Sequence, residues 1–528
     1  MDGLSGFMDS LTGVLQTIGN IGWEWLAYLA LALGLLFTIV FKFTQVRRFP
    51  DMIRLVTSGG NKDEDGGVSS FQALSLTLSS RVGVGAIAGV ATAIAAGGPG
   101  AIFWMAVTGL LGAASSYAES ALAQVYKRRI DGEHRGGIPY YIYHGLKLRW
   151  LAVVAALVAF LAYGFLVPGI QSNNISSSVE YAFGIDPWIT ATSVTVLLGL
   201  VIIGGTKRIV NVAQLIVPFM AAGYIIVALV VIFWNFQAIP ETVGVILSSA
   251  FGAHEVFGGI LGFAITWGIR RAIFTSVAGV GEGTYGAAAA KVSHPGKQGL
   301  VQAFSIYVDV LFVCMATGLL IVATDSFNVI TPAGELIHQG SIPADLVTGG
   351  ANAQAAIDTV FPGFGSAFVA VAIFLFAFTS QVAFYYIASS NLIFLTKEKV
   401  NNAALWVLKI GSLVISFVGG VISADMMWAA GDIGYVVLGF INMASIILLL
   451  PVVRKVYRDY ERQRKAGKDP VFHPEDLGIQ GADFWLEPSA TTPIPVEERR
   501  QLTAELEQEL KNGRVGLSDR SSRDELEK

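Results

Sequence analysis

Two copies of one tripeptide, Gly83-Val84-Gly85 and Gly279-Val280-Gly281, interrupt apolar runs of membrane length. Each has a charge beside it: Arg81 just before the first, Glu282 directly after the second. Glycine reaches dihedrals that other residues avoid, so each tripeptide marks a place where a spanning helix can unwind. Unwound backbone in hydrocarbon costs several kcal/mol per unsatisfied group unless it lines a cavity or is buried in protein. Where it does line a cavity, freed N–H groups at a half-helix N-terminus can hold a carboxylate, and freed carbonyls can coordinate a cation. The chemistry offered is reversible binding of a small charged solute. For one glycine pair alone, close packing of helices through small residues explains as much. Recurrence of the same break in a second apolar run favours the binding reading. A dinucleotide loop is a weak reading, because "GVGAIAG" has the wrong final spacing and no strand-and-helix unit surrounds it. No H-E-x-x-H metal pair and no G-x-S-x-G nucleophile is present, so no enzyme is expected.

The remaining intramembrane charges leave alternatives open. Arg270 and Arg271 lie nine and eight residues before Gly279. With Arg81, they either form a guanidinium fork for a substrate carboxylate or make structural pairs with Glu119, Asp309 and Asp432. Glu282 either neutralises Arg81 or serves as a proton-linked carboxylate or a ligand for an amino group. Gln171, in "PGIQSNNISS", either faces the site or bonds between helices. The lone Cys314 and the six histidines have no spacing that implies chemistry.

The elements that must position these residues are helices in a bilayer. Of the 528 residues, 53% are hydrophobic and 14% charged, against roughly 25% charged in soluble domains. Apolar segments of spanning length fall near 21–43, 71–97, 100–126, 150–172, 188–204, 210–234, 255–290, 299–324, 364–396, 403–422 and 429–453. That gives an all-α, polytopic membrane protein of eleven spans. The first segment lacks a basic start and a cleavage site and is expected to be retained. Lys and Arg gather in alternate connections, 42–70, 127–149, 205–209, 291–298, 397–402 and 454–458. They are missing from 1–20, 173–187, 235–253, 325–363 and 423–428. The positive-inside rule then puts the N-terminus outside and the C-terminus in the cytoplasm. With the first span set aside, 71–234 and 255–453 are two five-helix repeats of inverted topology, each opening with a broken helix. Residues 454–528 form a charged cytoplasmic tail, expected to be solvated, with a polar helix over 496–513.

Several stretches, in order and spacing, resemble the alanine/glycine:cation symporter family: "FQALSLTLSSRVGVGAIAGVATAIAAGGPGAIFWM", "AESALAQVYK", "GGIPYYI", "GGTKRIVNVAQLIVPFMA", "HPGKQGLV" and "RQRKAGKDPVFHPEDLGIQGADFW". The resemblance covers about 20–485. It implies a leucine-transporter-like fold with one extra N-terminal helix, in the cell membrane, with no nucleic-acid partner. It also implies alternating-access symport of alanine or glycine with sodium as the coupling ion. Carried onto this sequence, the substrate site falls on Gly83, Val84, Gly85, Ala86, Gln171, Phe274, Ser276, Gly279, Gly281 and Phe384. A sodium site falls on the carbonyls of Val82 and Gly85 with the hydroxyls of Thr379 and Ser380, and Arg81, Arg270, Arg271 and Glu282 take gating or coupling roles. The departures lie at the site itself. The family's Gly-Thr-Gly-Asn is here Gly83-Val84-Gly85-Ala86, its Asn-Glu pair is Ser276-Val277, a typical Trp is Phe384, and Glu282 follows the family's missing Glu by five positions. These changes admit a proton-coupled or otherwise diverged carrier, or a sensor on the same fold.

Overall fold

The computed structural model describes residues 2–57, 67–331, 334–344, 349–422 and 425–486; the polar helix expected over 496–513 lies outside them. The chain opens with helix α1 (Asp2–Val40), which starts well ahead of the expected span. The first interrupted run forms α2 (Ser70–Arg81) and α3 (Ala88–Gly97). Ser69 starts α2 through a reciprocal capping box with Gln72, which satisfies two otherwise unpaired N–H groups. Then come α4 (Gly100–Val125), a hairpin of β1 (Arg128–Ile130) and β2 (Glu133–Arg135), and α5 (Ile138–Leu146). The long α6 (Arg149–Phe183), α7 (Pro187–Ile203) and α8 (Gly205–Trp234) follow. The second interrupted run forms α9 (Leu261–Ser276) and α10 (Gly283–Ala289). Beyond it lie α11 (Pro295–Ala323), the short antiparallel pair β3 (Asn328–Ile330) and β4 (Leu336–Gln339), α12 (Phe364–Leu395), α13 (Asn402–Val421), α14 (Asp425–Leu448) and α15 (Leu450–Lys465).

Eight helices among the described residues are long and apolar enough to cross a bilayer, so the protein is a multi-pass membrane protein. The expected spans at 71–97 and 255–290 are not among the eight because each is cut in two; the span near 188–204 is a 17-residue helix. Apolar side chains on α7 and α8, such as Val196, Leu200, Phe219 and Trp234, are exposed, as a lipid-facing surface requires. The interior is built from α2, α4, α9, α11 and α12, where helices touch through small residues. A Cβ placed on Gly268 of α9 would stand 2.5 Å from the Ala101 carbonyl oxygen of α4. Two wide π turns, Ala162–Leu166 in α6 and Tyr307–Cys314 in α11, carry Tyr163 and Asp309 into this interior.

At the basic end the broken helices are tied together. Val68 N–H donates to Ala289 O and Lys291 N–H to Val68 O, both at 2.9 Å, joining the start of α2 to the end of α10. The segment expected to be a solvated tail docks here in part. Phe472, Phe484 and Trp485 are buried, Trp485 Nε1 donates to Gln124 O at 3.0 Å, and Phe472 N–H donates to Ser293 O at 2.9 Å. Lys127 lies over the Phe484 ring at 4.3 Å and donates to Ala290 O at 2.8 Å. Charge density hid three aromatic anchors in the sequence.

Substituting Gly268 by Val should lower the melting temperature of detergent-solubilised protein by several degrees, since overpacking against backbone costs about 1–3 kcal/mol. Gly223→Val on α8, where a Cβ meets nothing within 4 Å, should not; equal shifts would refute this packing. The seam is also pH-sensitive. Burial, then the charge of Lys127, pushes His134 down to about 2, and burial lowers His294 against the opposing pull of Asp459. Bases depressed in this way stay neutral when folded, while the unfolded chain takes up protons as pH falls through about 6.5. Their stabilisation is therefore present above that pH and is lost progressively below it. Hydrogen exchange over 287–294 and 471–486, corrected for intrinsic rate, should be faster at pH 5 than at pH 7.5; equal protection would count against the neutral histidines.

Candidate functional site

The two breaks face each other, and they unwind by different means. In the first, α2 ends at Arg81, one 3₁₀ turn covers Val84–Ala86, and α3 resumes at Ala88. Gly83 has φ −104° and ψ −156°, ordinary extended backbone, so left-handed freedom is not what the glycines supply here. They supply room. A Cβ on Gly83 would lie 2.8 Å from Ser380 Oγ and 3.3 Å from Gln171 Oε1, and one on Gly85 would lie 3.3 Å from Thr275 Cβ. The second break, 277–282, does use the left-handed region, with φ 49° at Val277, 83° at Gly279 and 97° at Gly281. A β-branched residue there stores strain of about 1–3 kcal/mol.

One buried carboxylate joins the breaks. Glu119 on α4 accepts from the Gly279 N–H at 3.1 Å and from Asn442 Nδ2 at 2.9 Å, and its other oxygen lies 3.6 Å from Arg81 Nη2. Asn442 also donates to Gly279 O at 2.8 Å and takes the hydroxyl of Tyr141. The Arg81 guanidinium further donates to Gln302 O at 3.2 Å, to Ser116 Oγ at 3.3 Å and to Ser305 Oγ. Arg81 and Glu119 are both fully buried. Of the partners expected for the arginines, Glu119 takes Arg81 and Asp432 takes Arg270 at 2.6 Å; Asp309 instead accepts from Thr275 Oγ1 at 3.0 Å. Arg271 packs over the rings of Trp267, Phe274 and Trp428, with no carboxylate in ion-pair reach among the described residues.

The other expected site residues divide. Gln171 faces the first break, where its Oε1 stands 3.4 Å from the Val84 N–H. The Ser380 hydroxyl lies 2.9 Å both from the Ser79 carbonyl, beside the same break, and from the Phe376 carbonyl of its own helix. The Thr379 hydroxyl bonds back to Leu375 O at 2.9 Å on its own helix, and that of Ser276 to Ala272 O at 2.6 Å. The Val82 and Gly85 carbonyls accept no hydrogen bond among the described residues, while the Ala86 carbonyl accepts from Thr317 Oγ1 at 3.0 Å. Phe274 and Phe384 belong to one aromatic wall. Tyr163 lies 5.5 Å from Phe384 and 5.8 Å from Tyr435, which is in turn 5.4 Å from Phe274. Glu282 is buried and makes no ion pair with Arg81; Ser80, Tyr163 and Tyr435 face it. The sequence reading missed Thr317, Asn442 and the two tyrosines. A lone polar residue inside an apolar run, as in "LAYGF" and "FINMAS", was the available signal.

This arrangement binds and encloses rather than cuts or joins, and among the described residues no cluster of His, Cys, Asp and Glu could hold a catalytic metal. The family profile described as the Sodium:alanine symporter family matches residues 8–474. The chain belongs to that family. As a member it is a transporter and not an enzyme. YrbD of Bacillus subtilis (strain 168) is 47% identical over 483 residues, covering 91% of this chain and 98% of that one. The sodium/proton-dependent alanine carrier protein of Bacillus sp. (strain PS3) is 46% identical, covering 82% and 97%. The sodium/alanine symporter AgcS of Methanococcus maripaludis is 34% identical, covering 86% and 98%. In this symporter, Glu119→Ala should remove the carboxylate that joins the breaks. Stranding a buried guanidinium costs about 3–5 kcal/mol, so the purified variant should melt well below the parent and lose transport. A parent-like melting curve would show the pair to be dispensable.

Proposed function

We infer that the protein is a secondary active transporter that moves alanine, or glycine, inward with sodium by alternating access. The observation that carries this reading is the meeting of two interrupted helices at which Ser380, Gln171 and unclaimed backbone carbonyls converge. Family membership and the names of the relatives support it. In this reading 21–43 is an extra helix ahead of two inverted five-helix repeats, 71–234 and 255–453. The eleven-span chain then has its N-terminus outside and 454–528 in the cytoplasm of the cell, the arrangement the Lys and Arg distribution favours.

Sodium takes oxygen ligands, and the donor set at the first break fits. Val82 and Gly85 have free carbonyls and Ser380 brings a hydroxyl; Thr379 joins once it gives up its bond to Leu375. The substrate carboxylate is held by the backbone N–H groups of Gly85 and Gly281, which donate to no other group among the described residues. Phe274 and Phe384 limit the room for its side chain, with Gln171 and Ser276 at the edge. Arg270 with Asp432 acts as a gate on the far side from the basic end. The direct test is uptake of labelled alanine and glycine into proteoliposomes, with and without an inward sodium gradient at fixed pH. Sodium-dependent accumulation of either is expected, and Gly83→Val, which fills the space before Ser380, should reduce it at least tenfold. Absence of uptake with either substrate would reject the assignment.

A further inference from the structure

We propose that Glu282 centres a second sodium site, separate from the Val82, Gly85 and Ser380 set and built on a carboxylate. The proposal deepens the symport reading and rests on it only for the role of the ion. Glu282 is 1% exposed, and neither carboxylate oxygen has a hydrogen-bond partner among the described residues; the Tyr163 hydroxyl is also unpartnered. Three orphaned polar atoms from α6 and the second break therefore share one buried region. The hydroxyls of Ser80 at the end of α2 and of Tyr435 on α14 face the same carboxylate. Every donor is an oxygen, the ligand type that hard cations take.

The charge balance favours a cation. The ionisable groups around Glu282 are Arg81, Glu119, Asp309, Tyr163, Tyr285 and Tyr435. Arg81 is the sole permanent cation of that group, and Glu119, Ser116, Ser305 and the Gln302 carbonyl already occupy it. Three carboxylates thus surround one guanidinium, and Asp309 at least has Thr275. A buried carboxylate that only hydroxyls face, beside a guanidinium already paired with another acid, costs several kcal/mol. A sodium ion removes that cost and, because its ligands come from the end of α2 and the start of α10, draws together two half-helices that are joined again at Val68 and Ala290. Binding there favours closure of the basic end, as coupling requires.

The test is sodium binding to the full-length purified protein, by calorimetry and by sodium-dependent thermal shift in choline buffer, for the parent and Glu282→Gln. The parent should bind two sodium ions. The variant should bind one, or bind the second at least tenfold more weakly, with a smaller thermal shift. Tyr163→Phe and Tyr435→Phe should each weaken the second ion several-fold, and they carry the test should Glu282→Gln not fold. Unchanged sodium stoichiometry and affinity in all three variants would overturn the proposal. So would uptake driven by a pH gradient without sodium in the parent and lost in Glu282→Gln, because the carboxylate would then carry a proton. A raised alanine KM in Glu282→Gln with intact sodium binding would also overturn it, by assigning the acid to the substrate's ammonium group. Two-ion binding in a parent that moves neither alanine nor glycine would leave the site standing and reject the symport reading instead.

Discussion

The Arg81 to Glu119 contact is the constraint on which the interior depends. A guanidinium without water must be paired, and here its two Nη groups find partners on α4 and α11 while its carboxylate also holds the strained second break by the Gly279 N–H. The broken backbone is thereby satisfied by side chains from helices that are themselves unbroken. That arrangement explains how φ 49° at Val277 persists: the surrounding bonds leave the turn no alternative. It also fixes the separation of the two breaks, because one carboxylate reaches both.

Around this hub the chemistry is asymmetric. The first break offers carbonyls, a glutamine and a serine, all neutral, whereas the second offers a bare acid against two phenols. The wide π turn in α6 produces the contrast by rotating Tyr163 inward, where a regular helix would place a neighbouring residue. The aromatic wall of Phe274, Phe384, Tyr163 and Tyr435 is buried with the acid, and the exclusion of water keeps the local dielectric low. An ion in such a place is held by few ligands but interacts strongly with each.

Much of this was legible in the residues. The two "GVG" breaks, the apolar runs, the basic connections and the resemblance carry the architecture, because each follows from composition or spacing along the chain. Pairings across the chain were legible only in kind. Asp309, Glu119 and Asp432 were recognisable as partners in waiting, but which arginine each would meet depends on helix rotation, which for Asp309 the π turn in α11 alters. The dihedral freedom expected of the glycines is used at Gly279 and Gly281 and not at Gly83, since close approach by a neighbour leaves no local trace in sequence. Phe472, Phe484 and Trp485 were obscured by the charged residues around them.

The seam at the basic end has a consequence for biosynthesis. Lys127 and Gln124 lie in the first quarter of the chain, yet the rings and the indole N–H that cover them belong to Phe484 and Trp485. Until the ribosome releases those late residues, the early helices sit in the bilayer with that end uncovered. A chain whose synthesis has not yet reached Trp485 therefore holds Lys127 and Gln124 without these partners.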